Sequence, residues 1–435
     1  MQRSETAGPP HIVILGGGFA GIAVARRLER RLGPDEARVS LVSRENFTLF
    51  TPMLPEVSSG GIETRHVVTP VRAQLKRTQF VLGEITTIDL DARRVDVTHA
   101  LTKAAVHLNY EHLVIALGSV TSTFNIPGVA EHTLPLKTIE DAESLRNRII
   151  ASLELADVVT DAHERRRLLT YAIVGGGYTG CEAAGELADF LRGISRFYHS
   201  VRPADITMVL IEAGSKLLPD LPAAMGRYTA THLQRSGIRL ELGDGVASVD
   251  AGGLTLKSGR RIDSRTVVWS AGVRPAPIVK DLPVDRARNG GMYVERDMRV
   301  RGRPGVWALG DSAWIPTGKP DDWYPATAQH AIREGPVLAD NLLAVLRGQP
   351  TKPFVFTALG TMASLGAHRG VVGFPNGFVL TGFLAWFLWR GYYLLRLPGL
   401  DRRFRVAFDW TLGLFFSRDI AELRVFTDRV RPTDA

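Results

Sequence analysis

The chain has 435 residues, a formal net charge of +8 and one cysteine, Cys181. A single thiol excludes an intrachain disulfide, a redox dithiol, a cysteine zinc site and an iron–sulfur cluster, so any electron carrier is organic or held without cysteine. The length suffices for two or three domains. The basic balance admits nucleic acid, an anionic membrane or a merely basic surface, and no nucleic-acid recognition motif accompanies it.

Met1–Pro10 is short and polar. With no apolar run there, the expectation is no secretory leader and a reducing, cytoplasmic setting. His11–Leu15 is an apolar run entering Gly16-Gly17-Gly18-Phe19-Ala20-Gly21, and Ile22–Leu28 follows with helical periodicity. Buried strand, tight turn and helix N-terminus in that order form the dinucleotide fingerprint. Gly16 turns the chain, Gly18 admits a pyrophosphate and Gly21 packs helix on strand, while the helix's free N–H groups face the phosphates.

Val39–Ser43 reads as the second strand. It ends in Ser43, where this fold usually places an acid on the adenosine ribose. Phe47–Pro55, apolar and punctuated by prolines, reads as a loop over a ligand, Leu82–Val97 as meander strands and Leu113–Ser119 as a buried strand. The opening pattern then returns: Tyr171–Val174, Gly175-Gly176-Gly177-Tyr178-Thr179-Gly180, and a helix starting through Cys181–Leu187 and extended by Leu191–Ala204 with its connection. Its partner strand, Ile206–Ile211, does end in an acid, Glu212. A carboxylate there accepts from a free ribose 2′-hydroxyl and repels a 2′-phosphate, which favours NADH over NADPH. Gly237–Val268 reads as strands with glycine turns, closing in Trp269-Ser270-Ala271-Gly272. Val306–Asp311 is a last buried strand ending in Gly310-Asp311, where a carboxylate suits the hydroxyls of a flavin. Cys181 reads as a small buried residue rather than a nucleophile.

Val379–Leu397 is the most apolar stretch. About a dozen apolar residues at roughly −0.3 to −0.6 kcal/mol each face Arg390 at ~+2.5–3.5 kcal/mol, which does not exclude a span. Spanning helices keep Trp and Tyr at their ends, whereas Trp386, Trp389, Tyr392 and Tyr393 fill the middle. An interfacial anchor over residues 379–418 fits better, with Arg402, Arg403 and Arg405 on anionic headgroups and Trp410–Phe416 as a second apolar patch. The competing reading packs these aromatics on the protein's own body or on a second subunit.

These pieces, in this order, resemble the two-dinucleotide-binding-domain flavoproteins. Dithiol members and sulfide:quinone oxidoreductases are set aside for want of cysteines. The closer resemblance, over nearly the whole chain, is to the type II NADH:quinone dehydrogenases. Phe47–Gly60 looks like that family's "FTPLL…E…G", Gly175–Leu187 like "GGGxTGxExAGEL", Ala326–Gly335 like the "TAQ" helix start and Gly373–Trp389 like the "G…GFxAWxxW" tail.

The resemblance implies an α/β fold of two Rossmann-like dinucleotide-binding domains, the FAD domain discontinuous (1–130 and 295–375) around an NADH domain (131–294), with an amphipathic helical membrane anchor (376–435). It implies FAD on Gly16, Gly18, Phe19, Ala20, Gly21, Thr51 and Asp311, with Ala328 and Gln329 against the flavin where a quinone enters. Ser43, Ala116, Gly118, Gly310 and Gly272 are further cofactor-binding candidates. NADH falls on Gly175, Gly177, Tyr178, Thr179, Gly180 and Glu212. Glu182 and Gln329 are the candidate catalytic residues, and no metal is expected. The implied activity is NADH oxidation with two-electron reduction of a membrane quinone and no proton pumping. The implied protein is a homodimer, monotopic on the cytoplasmic face of the cell membrane. Two alternatives stand beside it: a soluble NADH-dependent flavin reductase serving a ferredoxin or other protein, and a redox-sensing interaction protein that binds FAD and NADH without turnover.

Overall fold

The computed structural model describes residues 8–357, 360–366 and 368–422. The leader reading on Met1–Ala7 and the end of the expected anchor region, 423–435, lie outside the described residues. The chain divides into two compact units. The first comprises Met1–Leu49, Val68–Val120 and Val273–Thr357; the second comprises Phe50–Val67, Thr121–Gly272 and Ala358–Ala435. These bounds differ from the domains read from sequence, because the C-terminal segment and the short Phe50–Val67 excursion cluster with the second unit.

The first unit is built on a seven-stranded sheet in the order Val306–Ala308, His112–Ile115, His11–Leu15, Arg38–Ser43, Gln79–Asp89, Arg94–His99 and Ala105–Asn109. The first five strands are parallel and the last two continue as an antiparallel meander. His11–Leu15 is buried along its whole length, as a central parallel strand covered on both faces must be. The Phe19–Arg31 helix follows from Gly18 as N-cap and turns Ala20, Gly21, Ile22, Val24, Ala25 and Leu28 inward. Arg30 and Arg31 occupy its last turn, where cations suit the dipole. The Ala328–Leu346 helix packs on it so closely that a Cβ on Gly335 would stand 2.5 Å from that of Ala23.

The second unit holds a five-stranded parallel sheet, Leu134–Pro135, Thr266–Trp269, Thr170–Val174, Thr207–Glu212 and Ile238–Leu242. The Tyr178–Ile194 helix leaves its glycine turn almost wholly buried, and 3-10 turns at Ser195–Phe197 and Pro203–Asp205 complete the connection. The Ile139–Val158 helix starts on a capping box between Thr138 and Asp141. Phe47–Pro55 is not an irregular loop. Phe47–Leu49 is a strand of the first unit, paired with Val68–Pro70. Thr51–Met53 and Leu54–Ser58 are helical turns of the second. Pro52 and Pro55 sit at the starts of those turns, where a missing N–H costs nothing.

The apolar C-terminal stretch also divides. Val379–Gly382 is the last strand of a three-stranded antiparallel sheet with Gly370–Gly373 and Thr361–Ser364. Gly382, at φ +79°, turns the chain into the Phe383–Arg396 helix, and Gly399 leads into a second helix, Leu400–Leu412. Trp386, Trp389 and Trp410 are buried within the unit, while Phe383, Leu384, Phe387, Leu388, Phe404 and Phe408 are exposed. The tryptophans therefore pack on the protein's own body, and a separate phenylalanine–leucine face is left outside. Among the described residues, no helix is long and apolar enough to cross a membrane.

Candidate functional site: two glycine-turn cofactor cradles and a buried carboxylate cluster

In the first unit, Gly16 has φ +112°, and a Cβ there would stand 2.2 Å from the Ala116 carbonyl oxygen. Only glycine fits. At Gly18, by contrast, an added Cβ meets nothing within 4 Å, so the helix N-terminus opens onto free space. That is the cradle a pyrophosphate requires, and it is how the chain fits a dinucleotide. Ser43 lies against the same turn: a Cβ on Gly17 would come within 2.7 Å of its hydroxyl. Thr48 Oγ1 donates to the Gly17 carbonyl at 2.8 Å.

The same end of this sheet gathers the remaining first-unit candidates. The Gly310–Ser312 turn follows the Val306–Ala308 strand, with Gly310 facing Ala20 and Ala331. Gly310 N–H donates to Glu334 Oε2 at 2.7 Å, and Ser119 hydrogen-bonds the Asp311 carboxylate. Ser312 Oγ and the Ala276 N–H both reach the Gly118 carbonyl. Ala328 and Gln329 open their helix behind Thr327, whose hydroxyl accepts from His330 N–H. Glu334 is 2% exposed, and burial lifts its carboxyl to about 7, with Asp311 adding to the rise. Phe19 stands at the first position of its helix. Thr51 belongs to the second unit, where it opens a 3-10 turn.

The second unit repeats the cradle. Gly175 has φ +112° against the Ala271 backbone, Gly180 closes on the Gly175 carbonyl, and Gly177 opens onto free space. Glu212 ends its strand beside the turn. Its Oε2 accepts from Gly176 N–H at 2.6 Å and its Oε1 from Gly214 N–H at 2.7 Å, so two backbone donors fix the carboxylate. Gly272, at φ +133°, accepts from Ser122 N–H. Tyr178 and Thr179 form the helix start, and burial raises the Tyr178 hydroxyl well above its ordinary range. Cys181 is fully buried, its thiol directed at the Gly176 carbonyl.

Glu182 lies on this helix but does not point into the cradle. Its Oε1 accepts from Ser364 N–H at 3.0 Å and from the Trp389 indole N–H at 3.1 Å, tying the helix to the C-terminal segment. Burial pushes its carboxyl up to about 8; the two donors oppose the rise, and Glu56 and Glu186 add to it. Sequence reasoning missed the charges around it. Glu56 accepts from Arg390 Nη2 at 3.2 Å and from Trp410 Nε1 at 3.3 Å. Glu186 accepts from Arg418 Nη2 at 2.8 Å. The Arg390 guanidinium lies 4.1 Å from the Trp386 ring centroid and 4.5 Å from that of Trp410. The available signal was a charge inside each apolar window: Glu56 before Val57, Glu186 four residues after Glu182, and Arg390 amid the tail. Among the described residues no group of side chains could hold a metal ion.

Two open glycine cradles, one per unit, define a flavoprotein that pairs two dinucleotides. The pyridine nucleotide-disulphide oxidoreductase family model matches residues 10–335, and the chain belongs to that family. A second model, the NDH2 C-terminal domain, matches residues 359–419. The type II NADH:quinone oxidoreductase Ndh of Mycobacterium tuberculosis is 32% identical over 96% of this chain and 91% of its own. The mitochondrial internal alternative NAD(P)H-ubiquinone oxidoreductase A1 of Arabidopsis thaliana is 32% identical over 95% and 86%. The fold is that of NDH2 from Plasmodium falciparum in complex with NADH, at TM-score 0.86 and 22% identity, over 95% of this chain and 99% of that one. Within the wider family, the chain is a member of the type II NADH:quinone oxidoreductases.

Proposed function

We propose that this chain oxidises NADH and reduces a membrane quinone by two electrons, using FAD as the carrier. When bound, the flavin supplies the hydride and electron chemistry; the protein contributes binding, orientation and electrostatics. The observation that carries the reading is the pairing of a carboxylate-ended second cradle with an NDH2-type C-terminal segment in one chain.

Gly16, Gly18, Phe19, Ala20, Gly21, Ser43, Thr51, Ala116, Gly118, Gly310 and Asp311 are the residues proposed to hold FAD, the glycine turn at the pyrophosphate and Asp311 at a hydroxyl. Gly175, Gly177, Tyr178, Thr179, Gly180, Glu212 and Gly272 are those proposed for NADH. Glu212, fixed by two backbone N–H groups, presents negative charge to a 2′-hydroxyl and repels a 2′-phosphate. Ala328 and Gln329, at a helix N-terminus, are the residues proposed to offer N–H groups and an amide to the flavin and the quinone head. Glu182, holding its proton at neutral pH, is the proposed donor to the reduced quinone.

The C-terminal helices are the proposed means by which such an enzyme meets a lipid-dissolved acceptor. Phe383 and Phe387, Leu384 and Leu388, and Leu400, Phe404, Phe408 and Leu412 recur at helical spacing and are all exposed. With Arg403 and Arg405 beside them, this pattern supports a monotopic anchor lying in the interface, on the cytoplasmic face of the membrane. The same apolar face suits a homodimer. Steady-state assays of purified, FAD-loaded protein test the function. NADH consumption that needs a quinone and is indifferent to ferredoxin supports it. Turnover with ferredoxin alone favours the soluble reductase, and flavin reduction without any turnover favours the sensor.

A further inference from the structure

The second unit contains a cavity of about 1080 Å³ whose lining includes Glu186, Arg390, Arg418 and His368 but neither Glu182 nor Glu56. Exposed residues of the C-terminal strap, Leu414, Phe415 and Phe416 among them, form part of its wall. The strap is fastened by Arg146, which donates to the carbonyls of Asp419 at 2.8 Å and Ala421 at 3.2 Å, and by the Arg418–Glu186 ion pair. Three carboxylates gather here, each at most 7% exposed: Glu186 on the cavity wall, with Glu56 and Glu182 behind it. Among the described residues two guanidiniums meet them, Arg390 on Glu56 and Arg418 on Glu186, while Glu182 accepts from two neutral N–H donors. Three buried carboxylates against two cations leave the cluster one proton richer than its ion pairs account for, because an unpaired buried charge is far costlier than a protonated acid.

We infer that this cavity is the port through which protons consumed by quinone reduction enter, with Glu186 handing them from cavity water to Glu182. The inference rests on the activity proposed above and adds a route to it. NADH, quinone and one proton become NAD⁺ and quinol. The nicotinamide C–H bond supplies two electrons and one proton, and the second quinol O–H bond needs a proton from water. Glu182 releases that proton and becomes a carboxylate. Glu186 then takes a proton from cavity water and passes it on, which restores the starting state.

The helix makes the hand-over local. Glu182 and Glu186 stand four residues apart on one buried face, ~6 Å along the axis, the spacing at which side chains on a helix are neighbours. The groups facing Glu186 come from every neighbouring element: Arg418 from the strap, Ser59 and Glu56 from the Leu54–Ser58 turn and its end, and Arg390 from the Phe383 helix. His368, whose ring is edge-on to Trp386 at 4.7 Å, lines the same space, and burial lowers its proton affinity. Glu143 and Arg146 face the cavity from the Ile139 helix. Six acids and five arginines line the cavity, a near balance of charge that suits water better than a strongly charged ligand.

The test uses the FAD-loaded full chain and stopped-flow half-reactions with NADH and a short-chain quinone. Glu186→Gln reduces at the wild-type rate but reoxidises about 10²-fold more slowly, the size of a lost proton-transfer group, with a larger solvent isotope effect in D₂O. Glu186→Ala regains rate with added formate, a carboxylate small enough for the cavity. Arg146→Gln, which loosens the strap and spares the carboxylate, stays within about twofold of wild type, well inside that range. Wild-type reoxidation in Glu186→Gln overturns the inference. So does a loss that formate leaves untouched and Arg146→Gln reproduces, because the strap then accounts for it. Wild-type protein that quinone fails to reoxidise counts against the proposed activity instead.

Discussion

Replacing Phe387, Phe404 and Phe408 together by serine is expected to release the protein from lipid without touching its chemistry. The three are 62%, 75% and 62% exposed, and their neighbours at helical spacing are exposed leucines and phenylalanines. Together they present the equivalent of about two whole phenylalanine side chains, or ~400 Å² of apolar surface. At ~25 cal/mol per Å², full immersion is worth ~10 kcal/mol. A helix lying half-sunk in the interface gains about half of that, ~5 kcal/mol, or more than 10³-fold in binding. Co-sedimentation with vesicles of mixed zwitterionic and anionic phospholipid reads the change directly, and soluble NADH:short-chain-quinone activity controls for folding. Vesicle binding unchanged by the triple substitution refutes the reasoning. If the substitution instead splits a dimer while vesicle binding persists, the face is a subunit interface.

Four further outcomes are expected. Glu212→Ala removes the fixed carboxylate and raises the KM for NADH about 10- to 100-fold, ~1.5–3 kcal/mol for a charged hydrogen bond, with flavin content unchanged; an unaltered KM misplaces the ribose. Gln329→Ala slows reoxidation by quinone more than reduction by NADH, and equal losses in the two half-reactions point to packing alone. Glu334→Ala leaves the buried Gly310 N–H without its acceptor, costing ~1–3 kcal/mol. Flavin retention measured by dialysis then falls, while Glu334→Gln, which still accepts, preserves it. Glu182 is raised from 4.5 to about 8, so between those values the folded chain binds more protons than the unfolded one. Its contribution to stability therefore declines as pH rises through that window. Glu182→Gln does not ionise, so its Tm relative to wild type climbs from pH ~5 to pH ~8, and parallel Tm curves contradict the assigned protonation.

The parts legible in the sequence were those written in short stretches. Each cradle is a strand, a turn and a helix within about twenty residues, and its glycines are demanded by contacts a few residues away. Glu212 was readable for the same reason, since it ends the strand next to the turn it bonds. Phe47–Pro55 misled because its prolines suggest a loop, whereas they stand at helix starts, where proline is tolerated. The tail's aromatic content argued only against a span. Which aromatics face inward depended on partners far away in sequence, Glu182 for Trp389 and Glu56 for Trp410. The carboxylate cluster was invisible for that reason: its ion pairs join residues 232 and 334 positions apart. The division into units shifted too, because Phe50–Val67 takes its contacts from chain that comes much later.

The account turns on electrons passing from NADH to quinone by way of a flavin held in this chain. Anaerobic stopped-flow with purified, FAD-loaded protein tests that most directly: NADH is added first, a short-chain ubiquinone second, and the visible flavin absorbance is followed throughout. The account predicts bleaching by NADH and full return on adding the quinone, within the time of one turnover. A protein that takes up no flavin, or whose bleached flavin stays bleached in the presence of quinone, contradicts it.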